Sequence, residues 1–161
     1  MRYGRIAGIS GIFLIIIMGG LYFTAEHLYA PETSPASVGH YMDINGHKIS
    51  LEISDTAETR ERGLSGRDSL AVDNGMLFVF PEAGNYGFWM KGMRFPIDIV
   101  WIAYDTVVGW EADVDPQIGV PDASLTVYYP PSPTDRVLEM PGGRAAALGI
   151  ASGTKISFHN E

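Results

Sequence analysis

The run Phe88-Trp89-Met90-Lys91-Gly92-Met93-Arg94-Phe95-Pro96-Ile97-Asp98-Ile99-Val100-Trp101-Ile102 constrains this chain more than any other stretch. Aromatic and β-branched residues fill it on both sides of Gly92 and Pro96, the pattern of buried strand interrupted by a short crossing loop. Pro96 pushes the residue before it into extended geometry and donates no amide hydrogen. Two strands are therefore expected, near residues 86–91 and 97–103. Lys91, Arg94 and Asp98 are set into this apolar run. Because an unpaired buried charge costs several kcal/mol, each must reach solvent or find a partner.

The N-terminus carries a second apolar signal of a different kind. Residues 6–23, IAGISGIFLIIIMGGLYF, form an uncharged run preceded by Arg2 and Arg5 and followed by Glu26. Roughly 18 apolar residues suffice to cross a hydrocarbon core, whereas a secretory apolar region is usually about 7–15. Positive charge before the run places the N-terminus in the cytoplasm and the rest of the chain outside. Residues 1–30 thus read as a membrane anchor, or as a cleaved signal ending near Leu28-Tyr29-Ala30, in which case the body is secreted. Both readings place the C-terminal part outside the cytoplasm, in the periplasm or beyond. Residues 31–39, rich in Pro, Ser and Thr, read as a linker, and residues 40–161 as the folded domain.

Within that domain Asn45-Gly46 separates two alternating apolar runs, the signature of a hairpin with a type I′ turn. Ile49, Leu51 and Ile53 form its buried face. Asp55 or Thr56 caps a helix that runs to Arg62 and stops at Gly63. A strand is expected over residues 75–80, ended by Pro81 and followed by a turn at residues 82–85. Further short strands are expected near residues 107–111, 125–129, 136–140 and 155–159, with a short helix over residues 142–148 before Gly149. Many short strands and two short helices predict a mainly β, α+β domain, a compact antiparallel barrel or sandwich.

Composition narrows the function classes. Formal net charge is -8, which argues against a nucleic-acid partner, since phosphate backbones reward positive charge. With no cysteine there is no disulfide, thiolate nucleophile or Cys-ligated metal. His27, His40, His47 and His159 are scattered, and Asp113-x-Asp115 lacks the third acid and the glycine of a calcium loop, so no metal site is expected. No Gly-x-Ser-x-Gly and no phosphate-cradling loop is present, and no cofactor motif is found.

The order of motifs is nonetheless specific. Glu61-Arg62-Gly63-Leu64, Gly75-Met76-Leu77-Phe78, Phe88-Trp89-Met90-Lys91, Pro96-Ile97-Asp98-Ile99 and Val137-Leu138-Glu139-Met140 follow one another. This series resembles the DUF192 (UPF0127) family, from about Asp43 to Phe158. The resemblance implies a small, mainly β domain, often exported or membrane-anchored, with no established activity. The chain departs from the family pattern at Ser65, where the family has Met, and at Gly92-Met93, where it has Asn-Thr.

Lys91, Asp98 and Glu139 occupy motif positions inside apolar runs, Arg67 lies just past the Gly63 stop, and Trp89 offers a stacking surface. One expectation is a ligand pocket near these residues, taking a small molecule, a carbohydrate or a protein. The other is a structural network in which Asp98 caps a turn and Glu139 pairs with Arg67 or Lys91. Two further classes stay open: an exported hydrolase using Asp98 and Glu139 as paired carboxylates, and a structural partner in an envelope complex presenting Tyr128 and Tyr129. An enzyme is the less favoured class.

Overall fold

The computed structural model describes residues 39–160; the expected membrane segment and all but the last residue of the linker lie outside the described residues. The Asn45-Gly46 turn does what its residues demand. Asn45 (φ 50°) and Gly46 (φ 81°) both take left-handed geometry, which joins β1 (His40–Ile44) to β2 (His47–Ser54) with the twist a hairpin requires. Thr56 caps α1 (Ala57–Arg62) in a reciprocal capping box, with Thr59 supplying the return bond, and Gly63 ends it at φ 50°.

β3 (Asn74–Gly84) is longer than its sequence indicates. Instead of ending at Pro81 it continues to Gly84, with a register shift against its neighbour between Val79 and Gly84. Such an irregularity is where a strand tolerates a proline, since no ladder amide is demanded there. The stretch from 86 to 91 shrinks to the two-residue β4 (Phe88–Trp89), whereas β5 (Ile97–Ala103) has the expected limits. β6 (Thr106–Val114), β7 (Val127–Tyr128), β8 (Thr134–Pro141), α2 (Arg144–Ala147) and β9 (Ile156–Asn160) complete the order.

Seven strands form one sheet in the order β6-β5-β8-β3-β2-β1-β9, and β4 pairs with β7 as a separate ribbon. All pairings are antiparallel except β2 with β3, which are parallel and joined through α1. The sheet curls until its outer strands meet at one end: Val107 N donates to Thr154 O (2.9 Å), Gly153 N to Val107 O (2.8 Å), and Thr106 bridges Lys155. The result is a mainly β half-barrel with two short helices.

Strand alternation gives this sheet two buried faces. Ile49, Leu51, Leu77, Val100, Ile102, Leu138 and Met140 turn to the inner face, where Ala145, Leu148 and Ile150 close over them. Met76, Phe78, Ile97, Ile99, Trp101 and Val137 turn to the outer face, covered by Leu64, Phe88, Met90 and Met93. Central strands β5 and β8 bury apolar residues on both sides because both sides are covered, with Asp98 and Glu139 set among them.

Candidate functional site

β5 and β8 are direct neighbours, with Asp98 opposite Met140 and Ile99 opposite Glu139. Partners across a ladder share a face and successive residues alternate, so the Asp98 and Glu139 side chains leave the sheet on opposite sides. Their surroundings then differ completely.

Asp98 is wholly enclosed (0% exposed) on the inner face. Its Oδ1 accepts from Asp113 N (2.7 Å) and Gly143 N (2.9 Å), and its Oδ2 accepts from Ala145 N (2.5 Å). Asp113 can point its amide inward because it adopts left-handed geometry (φ 51°) where β6 slips register against β5. Asp98 therefore ties a bend of β6 and the start of α2 to the central sheet. Three amide donors satisfy the hydrogen-bonding capacity of a carboxyl group that water does not reach. Asp98 lines neither of the two cavities described below.

Glu139 lies on the outer face and is 5% exposed. Its carboxyl has no hydrogen-bond or charge partner among the described residues, and burial alone pushes it up to about 8. It stands at the floor of a cavity of about 340 Å³ between the outer sheet face, the end of α1 with its following loop, and β4. Phe78, Phe80, Tyr86, Phe88 and Trp89 wall the cavity, and Arg60, Glu61, Arg62 and Ser65 stand around it.

Local folding explains each wall. Phe80 and Tyr86 stack at 3.6 Å and 7°, and Phe88 meets Phe78 edge-on at 5.0 Å. These rings support one another. Arg60 is fixed by donating to Asp55 O (2.5 Å) and Val79 O (2.9 Å), with its guanidinium 5.2 Å from the Phe80 ring centre. Within two-residue β4 the faces alternate, so Phe88 is buried while Trp89 is 48% exposed. Gly87 lies where β7 crosses closely: a Cβ there would stand 2.6 Å from Val127 Cγ1.

The other expected site residues lie elsewhere. Arg67 binds Glu52 with both terminal nitrogens at 2.6 Å, and those hydrogen bonds raise its already high pKa. Lys91 is exposed and pairs with Asp122 at 2.6 Å, which holds its ammonium above the ordinary range. It borders a second hollow of about 560 Å³ with Arg94, Ile118 and Val120. Of the five residues, Glu139 and Trp89 share the first cavity, and Arg67, Lys91 and Asp98 are outside it. The expected partners of Glu139, Arg67 and Lys91, are both engaged with other acids.

Sequence reasoning missed Phe80, Tyr86, Ser65 and Met93 as cavity residues. The alternation of Tyr86 and Phe88 about Gly87 was the available signal. Both departures from the family pattern touch this wall: Ser65 and Met93 line the cavity. The Ser65 hydroxyl donates to Lys91 O (2.6 Å), and Gly92 takes φ 69° beneath it.

With this geometry in view, the family model DUF192, described as an uncharacterized ACR, matches residues 40–158. The chain belongs to the DUF192 family. Its structure is similar to that of a protein of unknown function from Novosphingobium aromaticivorans DSM 12444, at 30% identity and a TM-score of 0.66, covering 76% of this chain and 89% of that one. It is also similar to a protein of Sinorhizobium meliloti 1021 suggested to be a transcription regulator, at 26% identity and a TM-score of 0.65, covering 74% and 91%. No curated protein sequence matches. The family assignment thus carries the fold and no activity.

Proposed function

We propose that this DUF192 domain is a ligand-binding module, with the Glu139 cavity as its site, held at the outer surface of a membrane by the N-terminal apolar run. The observation that carries the reading is the Glu139 carboxyl: almost wholly buried, without a partner among the described residues, and opening into an aromatic cavity. Buried polar groups are nearly always satisfied, and an exception calls for a ligand, a water or a functional task. A cavity of this size is within the range of small organic ligands.

Hydrolysis by Asp98 and Glu139 lacks support, because the two carboxyls face opposite sides of the sheet and cannot flank one bond. Transcription regulation, the role suggested for the Sinorhizobium protein, sits poorly with a net charge of -8. A structural role in an envelope complex rests only on exposed side chains such as Tyr129.

The test is a small-fragment screen against the full chain in detergent, followed by amide NMR. Bound fragments are expected to shift Gly63, Gly87 and Met93 in wild type and to lose that effect in Trp89→Ala. Absence of any fragment acting at these residues would defeat the reading. Tethering is tested separately: the full chain should resist alkaline extraction from membranes, with residues 40–161 open to protease from outside.

A further inference from the structure

Resting on the reading of this cavity as a binding site, we infer that its ligand presents an organic cation, a protonated amine or a quaternary ammonium, to Glu139 between the aromatic walls.

Three features converge on positive charge. The floor is an acid, and among the described residues no cation pairs with its carboxyl. The walls are ring systems, whose negative faces attract cations, most strongly where water is excluded. Phe80 already carries one such contact, with the Arg60 guanidinium.

An anion would find little to hold it. One nitrogen of Arg60, Nη1, is taken up by the carbonyls of Asp55 and Val79, its guanidinium packs against the Phe80 ring, and the Ser65 hydroxyl is taken up by the Lys91 carbonyl. Arg62 is exposed on the rim, and an anion reaching the floor would meet Glu139. A neutral hydroxyl can share one hydrogen bond with the acid, but it cannot make ionisation of Glu139 favourable. A cation does both, since an opposite charge at contact distance favours the charged form.

Binding therefore exchanges a proton for the ligand. Near neutral pH Glu139 is mostly a carboxylic acid. When the ammonium arrives, the Glu139 O–H bond breaks, its proton passes to bulk water, and the carboxylate stays paired with the cation. The charged groups around this exchange are Arg60, Glu61 and Arg62 from the α1 side and Glu52, held by Arg67, across Met76 on the same sheet face; Lys91, paired with Asp122, lies outside the cavity. β5 contributes Ile99 beside Glu139, and β4 contributes Phe88 and Trp89.

Benzylammonium, benzyl alcohol and benzoate separate the possibilities, because they differ only in the head group offered to the floor. Each is titrated calorimetrically into the full chain in detergent at pH 7, in two buffers of different ionisation heat. Benzylammonium is expected to bind at least about tenfold tighter than benzyl alcohol, from a desolvated cation–ring contact alone, and to release nearly one proton. Its affinity should rise by up to about tenfold per pH unit between 6 and 8 while that of the alcohol does not rise. Glu139→Gln should bring the amine down to the level of the alcohol and abolish the proton release, and Trp89→Ala should weaken both.

If the alcohol or benzoate binds wild type as tightly as the amine, or the amine binds without releasing a proton, the cation assignment is overturned and the cavity remains a site. If none of the three binds, both fail. The comparison in wild type needs no variant to fold.

Discussion

Asp98 and Glu139 sit on adjacent strands one register step apart and project from opposite faces of the same sheet. One carboxyl accepts from three backbone amides; the other has no partner among the described residues and opens into a cavity. The pleat alone makes this division, because a shift of one residue along a strand moves a side chain through the sheet.

Asp98→Ala should be strongly destabilising. It strands the amides of Asp113, Gly143 and Ala145, of which that of Ala145 is buried and the other two are partly so. Losing an acceptor shared by three donors is expected to cost about 3 kcal/mol or more. The melting temperature should fall by more than about 8 °C, and amide exchange at Gly143 and Ala145 should accelerate. An unchanged melting temperature would show that the tie between β6 and α2 is dispensable.

Stability should fall as pH rises from about 4.5 to about 8. Glu139 has a folded-state pKa of about 8 against an ordinary 4.5. Between these values the unfolded chain has lost the proton and the folded chain retains it, so unfolding releases a proton and raising the pH favours unfolding. The contribution is fully present below 4.5 and gone above 8, a total of a few kcal/mol. Denaturant titrations at pH 5 and 8 measure it. Glu139→Gln should flatten the dependence and be more stable than wild type at pH 8.

Gly87→Ala should disturb the β4–β7 ribbon rather than the main sheet. The added Cβ would lie 2.6 Å from Val127 Cγ1 and 2.9 Å from Tyr129 Cε1. Overpacking of this kind costs about 1–3 kcal/mol. NMR shifts should concentrate in β4 and β7 and leave β1 and β9 untouched, which the amide spectrum of the variant checks.

Trp89→Ala separates recognition from folding. The ring is half exposed at the cavity mouth, so its loss should cost about 1 kcal/mol or less in stability. Ligand affinity should drop well beyond that proportion. Equal losses in melting temperature and in binding would mark Trp89 as packing only.

Much of the fold was legible because local chemistry and tertiary packing agreed. Asn45-Gly46, the Thr56 cap and the Gly63 stop each have one comfortable backbone conformation, and the alternation of Ile49, Leu51 and Ile53 fixes a face. β3 was misjudged because Pro81 sits at an irregularity where it does no harm, a circumstance set by β8. The site was legible residue by residue but not as a constellation. Glu139 and Trp89 stand out as a charge in an apolar run and a ring beside Gly87. Their separation from Asp98 depends on strand register, and the pairing of Arg67 with Glu52 depends on parallel β2 and β3, neither of which short motifs encode. Ser65 and Met93 became interpretable only once α1 and β4 were seen to share a wall.

The two covered sides of the half-barrel have a consequence for how such a domain diversifies. The Asp98 ties lie on the face beneath α2, whereas Ser65 and Met93 line the cavity on the opposite face. A domain of this build can vary its cavity wall at either position while the Asp98 ties on the other face stay in place.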